Sequence, residues 1–250
     1  MPAPACYNPT QMLPRKVTSR HDDDGFRWRG VEVTRIEGLS DGVFAFAVTL
    51  LIVSLEVPKT FDELMAVMRG FPAFAICFAL LLQVWHEQHR FFRRYSLQDS
   101  TSLILNCILL FLVLFYVYPL KFLFTFLINK WIGLAAAVQI KERQVPLLME
   151  IFSAGFLAVS CIFMLLYSHA LHRRDALELN ALEVFDTKVS IGAAAINALT
   201  AIASLAIAWI APIQLSGFSG IIYPILLCPG FTIYYWVMGS KRGRLARRLG

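Results

Sequence analysis

The chain has 250 residues, of which 58% are hydrophobic and 16% are charged, against about 25% charged residues in typical soluble proteins. Its mean hydropathy is +0.61, and residues 189–240 contain no Asp, Glu, Lys or Arg. Because a water-soluble surface cannot be built from such a stretch, the composition argues strongly against a soluble enzyme or a nucleic-acid-binding protein. It predicts an all-α integral membrane protein instead.

The predicted elements begin with residues 1–34, a polar segment that reads as a flexible cytoplasmic lead. A predicted six-helix membrane domain follows over residues 35–240, and residues 241–250 form a basic cytoplasmic tail. Pro212, Gly217 and Gly220 predict the turn that divides the long uncharged stretch into two crossings of about 20 residues each. The predicted helices are Gly38–Val57, Gly70–Phe92, Thr101–Leu120, Leu148–Ala170, Val189–Ala211 and Phe218–Met238.

Positive charge is distributed unevenly among the predicted segments. The net charge is +6, and 17 of the 23 Lys and Arg residues lie before the first helix, after the sixth, or in the second and fourth connections with Arg90 at the adjoining helix end. These four segments lie on the same side of the predicted membrane, so the positive-inside rule places both termini in the cytoplasm. A basic face for nucleic acid would not be divided in this way, and we predict no such partner.

No motif in the chain predicts an enzyme, a cofactor or a resident metal. The run from His86 to His89 resembles a zinc-protease motif, but H-E-x-x-H requires a histidine at position 90, where Arg90 stands. No phosphate-binding glycine loop, no G-x-S-x-G and no T-V-G-Y-G channel filter is found in the sequence.

The first predicted helix carries an acid close to the membrane core. Only 14 uncharged residues separate Asp41 from Glu56, a helical length of about 21 Å against a hydrocarbon core of about 30 Å. Asp41 must therefore face protein or water, either as a helix cap with Ser40 or within a buried network. Matching depth in the first three helices predicts the members of that network as Arg35, Ser40, Asp41, Trp85, His89 and Asn106. For His89, a place among phospholipid headgroups is the alternative.

Above Asp41, one face of the first helix presents Phe46, Leu50 and Val53, with Thr49 beside them. Such a stripe alone is typical of helix packing. Small residues on this helix would also let neighbouring helices approach closely.

The segment R-x-x-x-L-S-D-G-V-F-A-x-A-x-T-L-L, followed by W-x-x-x-H at Trp85–His89, resembles the transmembrane protein 175 family of potassium channels, in its single-repeat prokaryotic form. The resemblance covers the whole chain. It implies a multi-pass protein of the cell membrane, a homotetramer contacted by lipids, with a central pore at the oligomer axis and K⁺ as the permeant cation. It also implies that the first helix lines this pore, with Phe46, Leu50 and Val53 as apolar constrictions and Thr49 as a polar neighbour.

Two residues depart from that family's pattern, and two other functions stay open. Leu39 replaces the motif phenylalanine, and Phe46 stands where isoleucine or leucine is usual, which leaves the ion preference undetermined. A secondary or proton-coupled transporter is the alternative function, but it calls for an inverted repeat and a midplane ionisable site. A non-conducting membrane scaffold is the third possibility.

Overall fold

A computed structural model describes residues 25–30, 32–53, 58–132, 140–210 and 222–249, and this part of the chain is helical throughout its length apart from short connections. It contains seven α-helices and one 3₁₀ turn, Glu142–Gln144. The α-helices are α1 (Arg35–Val53), α2 (Phe61–Arg69), α3 (Phe71–Tyr95), α4 (Ser100–Ile132), α5 (Val145–His172), α6 (Ala181–Ile210) and α7 (Ile222–Leu249).

Helix α1 begins three residues before the predicted start at Gly38. The Thr34 backbone N–H donates to Glu37 Oε2 at 2.8 Å, and the Glu37 N–H donates to Thr34 Oγ1 at 3.2 Å. This reciprocal pair is a capping box, which satisfies two backbone donors at the helix start. The predicted end at Val57 falls in residues 54–57, which lie outside the described part of the chain.

The second predicted helix, Gly70–Phe92, corresponds to α3, which runs on to Tyr95. The sequence reading missed α2, which is bent by 43° against α3. Thr60 caps α2 by accepting a hydrogen bond from the Glu63 N–H at 3.2 Å. Helix α2 escapes a search for apolar runs because it carries two acids and an arginine within nine residues.

The third to sixth predicted helices are all longer in the structure. Helix α4 continues past the predicted end at Leu120 because Pro119 does not break it, as prolines within membrane helices often do not. Helix α6 begins eight residues before Val189, since Asn180 and Glu183 exchange hydrogen bonds at its start. Helix α7 takes in nearly all of the predicted tail. The predicted turn around Pro212 lies in residues 211–221, outside the described part.

Within the described ranges, three helices are long and apolar enough to cross a membrane, and a fourth span is added if α2 and α3 count as one bent segment. The three are Ser100–Asn129 of α4, Val145–His172 (α5) and Ala181–Ile210 (α6). The predicted count of six crossings and the cytoplasmic termini therefore stay predictions.

Helices α5 and α6 form the most extensive contact in the bundle, and α1 packs on α3 and α4. Close approach of α6 and α7 depends on Gly192, where a Cβ atom would lie 2.1 Å from the Tyr234 hydroxyl. That hydroxyl donates to the Val189 carbonyl at 2.9 Å. On α1, Phe44, Ala47 and Leu51 are buried against the bundle. The opposite face of α1 is open.

Candidate functional site

Three buried polar side chains join α1 to its two neighbours. The Gln88 amide of α3 donates to Ser40 Oγ at 2.8 Å and to Asn106 Oδ1 of α4 at 3.1 Å. Asn106 Nδ2 in turn donates to Ser40 Oγ at 3.0 Å. We call Ser40, Gln88 and Asn106 the polar triad. None of the three is more than 1% exposed.

Within the polar triad, the Ser40 hydroxyl is fully hydrogen-bonded. Ser40 accepts two bonds and donates its hydroxyl proton to the Ile36 carbonyl at 2.8 Å, so its single donor and both lone pairs are used. A buried network of this kind fixes relative positions, because each unmade bond would leave a desolvated polar atom. The triad therefore holds the N-terminal half of α1 at one register against α3 and α4.

A second contact links α1 and α3 at the edge of the exposed face. The indole Nε1 of Trp85 donates to Asp41 Oδ1 at 2.8 Å. Trp85 also stacks on His89, with ring centroids 5.4 Å apart and planes 25° apart. Asp41 itself is exposed. Its carboxylate therefore accepts the bond from the indole and is also accessible from the open face of α1.

The structure thus divides the predicted network. It brings Ser40 together with Asn106, and it groups Asp41 with Trp85 and His89. Arg35 is exposed and makes no hydrogen bond or ion pair within the described ranges. His89 makes no hydrogen bond to Asp41 there.

The sequence reading missed three members of this region. The first is Gln88, which makes the contact with Ser40 and Asn106 that the sequence analysis assigned to its neighbour His89. The two residues lie at nearly the same depth along α3, and they differ in the side of the helix on which their side chains lie. The second is Glu37, 3% exposed, which lies 3.5 Å from the guanidinium of the third, Arg93. The spacing Thr34-x-x-Glu37 was a readable signal, because T-x-x-E preceding an apolar run marks a capping box.

A cluster of charged side chains binds the segment of the chain just before α1. Arg27 and Arg29 both bind the Glu183 carboxylate of α6, with closest distances of 3.0 and 2.8 Å. Arg29 Nε also donates to the Leu177 carbonyl at 2.8 Å. The hydrogen bond to Glu183 raises the pKa of Arg27, against the opposing effect of burial. We call residues 25–30, the described end of the predicted flexible lead, the clasp segment.

The clasp segment also contacts α3. The backbone N–H groups of Arg29 and Gly30 each donate to the Arg93 carbonyl at 3.1 Å. Phe26, 1% exposed, packs edge-on against Tyr95, and the Arg94 guanidinium lies 4.8 Å from the Phe26 ring centre. These contacts connect the start of α1 to the C-terminal end of α3 and the N-terminal end of α6.

A third polar contact lies between α4 and α5. Asp99 accepts a hydrogen bond from the Ser102 hydroxyl at 2.7 Å and is 2.7 Å from His169 Nε2. Burial opposes ionisation of Asp99, but the bonds to Ser102 and His169 outweigh it and lower the pKa of the carboxyl.

Three of the four predicted pore residues, Phe46, Thr49 and Leu50, lie on the open face of α1 or at its edge. Phe46 is 56% exposed, Thr49 is exposed and Leu50 is half-buried. On the opposite face, Ala47 and Leu51 are fully buried. Val53 is the last residue of α1, and its side chain lies outside the described part.

Among the described residues, no group of three His, Cys, Asp or Glu side chains could hold a metal ion. The region is thus a helix fixed on one side by polar bonds and open on the other. In a membrane protein, a helix that is buried on one side and open on the other can face an axis shared by several copies of the chain.

Comparisons with known proteins identify the family. Residues 35–116, which hold the polar triad and the open face of α1, match the model of the endosomal/lysosomal potassium channel TMEM175. A potassium channel of Marivirga tractuosa is 40% identical over 231 residues, which cover 88% of this chain and 93% of the relative. A potassium channel of Chamaesiphon minutus is 32% identical over 147 residues, covering 56% and 66% of the two chains.

Solved structures agree with the sequence relatives. A variant of the potassium channel MtTMEM175, crystallised with a nanobody fusion, has a TM-score of 0.76 and 36% identity, covering 92% of this chain and 100% of that one. A Chamaesiphon minutus TMEM175 homologue, with a TM-score of 0.54, 23% identity and coverage of 83% and 96%, shares the fold. The chain belongs to the TMEM175 family of potassium channels. It is a multi-pass membrane protein, and the family predicted from the motif at Arg35–Asp41 is confirmed.

Proposed function

We propose that four copies of this chain surround one potassium-permeable pore, with α1 of each copy facing the axis. The observation that carries the proposal is the open face of α1. It exposes the large apolar side chains of Phe46 and Ile52, 56% and 51% exposed, within the segment that matches the family model. A helix that is anchored on one face and apolar on the other can line a path between copies of the chain.

The proposed gate is a constriction formed by Phe46, Leu50 and Val53, with Thr49 as its polar neighbour. A narrow ring of oily side chains excludes water, so hydrated cations cross only when the ring widens. This arrangement has no ring of backbone carbonyls to replace the hydration shell, and we therefore expect modest selectivity for K⁺ over Na⁺. Ring width and partial dehydration would set that selectivity.

The anchor of the proposed pore helix is the polar triad together with the bond between Asp41 and Trp85. Because Ser40 lies six residues before Phe46 on the same helix, a change in its partners would tilt the residues that face the axis. We propose that these residues hold the inner end of α1 while the middle of the helix moves.

The remaining parts of the proposal concern topology. Six crossings would place the clasp segment and the basic end of α7 in the cytoplasm, where the positive-inside rule favours them. The basic residues after Ser240 would then also contact anionic lipid. Monovalent cations and membrane lipids are the only partners that this function requires besides further copies of the chain.

Flux through purified protein in liposomes tests the proposal. We expect K⁺ flux that exceeds Na⁺ flux and does not saturate at low turnover, whereas a transporter would saturate and a scaffold would pass neither ion. Leu50→Asn should wet the constriction and raise the leak of both ions several-fold. Leu50→Met, which keeps the site oily, is the control and should conduct like the unmodified chain. Equal flux in both variants would remove Leu50 from the gate.

A further inference from the structure

One cavity in the bundle, partly open to its surface, takes no part in the proposed pore. Its volume is about 540 Å³, and among the described residues it is lined by α3, α4, α5, α6 and α7 but not by α1. This volume lies within the range of about 300–1,000 Å³ that ligand sites in proteins occupy. The cavity is therefore a separate site from the path along α1.

Most of the cavity wall is oily. Aromatic rings of α5 stand opposite aliphatic side chains of α3 and α4, and aromatic residues of α7 close one side. Representative wall residues are Leu80, Val113, Phe152, Phe156, Phe163 and Phe231. A wall of this composition favours a hydrocarbon occupant over a cluster of water molecules.

Two polar side chains on one face of α6 interrupt this wall. Ser190 and Asn197 are separated by two helical turns and both line the cavity. Neither makes a hydrogen bond with any residue in the described part of the chain, and Ser190 is only 8% exposed. A polar group that lines an oily wall without a partner favours an occupant that can hydrogen-bond to it.

The charge at the cavity restricts what that occupant can be. Among the described residues of the wall, Glu87 is the only charged one, and its carboxylate already has two partners. Arg90 lies 3.0 Å from it, and the Tyr167 hydroxyl donates to it. An ionised head group would therefore find no free counter-charge among the lining residues. A neutral hydroxyl can both donate to and accept from the amide of Asn197.

We propose that this cavity binds a neutral lipid with a hydroxyl head and a single long hydrocarbon chain. The head bonds to Asn197 and Ser190, and the chain packs among the aromatic rings of α5. A long-chain alcohol or a monoacylglycerol has this chemistry, whether it comes from the bilayer or is added to it.

Photolabelling of the full-length protein tests the site. The probe is 1-hexadecanol with a diazirine in its chain, added to the protein in detergent micelles, and the labelled peptides are identified by mass spectrometry. We expect adducts on the cavity segments of α5, α6 and α7, which unlabelled 1-hexadecanol removes and hexadecane does not. Equal competition by hexadecane would overturn the proposal, because the cavity would then take hydrocarbon without regard to the head group.

Variants separate the cavity from the outer surface of the bundle. Ala194→Phe fills the cavity and should abolish this labelling, whereas Leu199→Phe adds a ring on the same helix at a position that is 65% exposed and should leave it intact. Asn197→Leu, nearly equal in volume, should weaken competition by 1-hexadecanol roughly three- to tenfold, the usual effect of one lost hydrogen bond. Thermal unfolding without the probe checks that each variant is folded. Unchanged labelling in folded Ala194→Phe, or unchanged competition in Asn197→Leu, would refute the assignment.

Discussion

Ser40 contributes a single hydroxyl to α1, yet that hydroxyl holds three helices together. Its partners Gln88 and Asn106 have no water to replace it, since all three side chains are at most 1% exposed. Gln88→Leu should leave both Ser40 Oγ and Asn106 Oδ1 short of a donor and destabilise the fold by about 1–3 kcal/mol. Thermal unfolding in detergent measures the loss.

The matched control for this change is Gln83→Leu on the same helix. Gln83 is exposed and makes no hydrogen bond in the described part of the chain, so its replacement should alter the unfolding temperature far less. If both variants lose the same stability, the polar triad does not fix α1.

The bond between Trp85 and Asp41 permits a double-mutant cycle. Trp85→Phe removes the indole donor and keeps a ring, while Asp41→Ala removes the carboxylate that accepts the bond. Because both changes act on one bond at the exposed edge of α1, the double variant should lose less stability than the sum of the singles, by about 0.5–1 kcal/mol. Strictly additive unfolding free energies would show that the 2.8 Å contact carries no coupling.

At the scale of elements, the clasp segment connects α1 to α6 through one carboxylate. Glu183 is 1% exposed and meets both Arg27 and Arg29. Glu183→Gln should leave the guanidinium of Arg29 buried without its counter-charge, and breaking such a pair costs about 3–5 kcal/mol. We expect faster hydrogen exchange at the backbone N–H groups of residues 29 and 30, which donate to Arg93.

Glu178→Gln is the control for the clasp variant. Only the backbone carbonyl of Glu178 accepts bonds from Arg27 and Arg29, so the same loss of charge there should leave exchange in the clasp segment unchanged. Protection that survives Glu183→Gln would mean that the backbone bonds to Arg93 alone hold the segment.

Features that depend on a local pattern could be predicted from the sequence. Features that depend on which side of a helix faces its neighbours could not. Apolar runs located the cores of the helices, and the Arg35–Asp41 motif identified the family. The prediction ended α4 at Leu120, because the charged Lys121 interrupts the apolar run there. It also chose His89 over Gln88, since depth along a helix is readable from sequence whereas rotation about its axis depends on tertiary packing.

The two faces of α1 are the feature that matters at the scale of the whole molecule. The bundle of one chain buries Phe44, Ala47 and Leu51 and leaves Phe46 more than half exposed. In the proposed tetramer, four Phe46 rings would meet at the axis, bulkier than a ring of aliphatic side chains. The packing within each protomer would then depend on one face of this 19-residue helix, and the proposed gate would depend on the opposite face.

The size of residue 46 therefore gives a direct prediction about conduction. Phe46→Ala should widen the constriction, raise K⁺ flux into liposomes several-fold and reduce the preference for K⁺ over Na⁺, because a wider ring strips less water from either ion. Phe115→Ala on α4, at a position 66% exposed, makes the same truncation away from α1 and should leave both flux and preference unchanged. Since Phe46 contributes little to the buried core of the protomer, the thermal stability of both variants should stay close to that of the unmodified protein. Flux that falls in Phe46→Ala, or that changes equally in Phe115→Ala, would place the ion path away from α1.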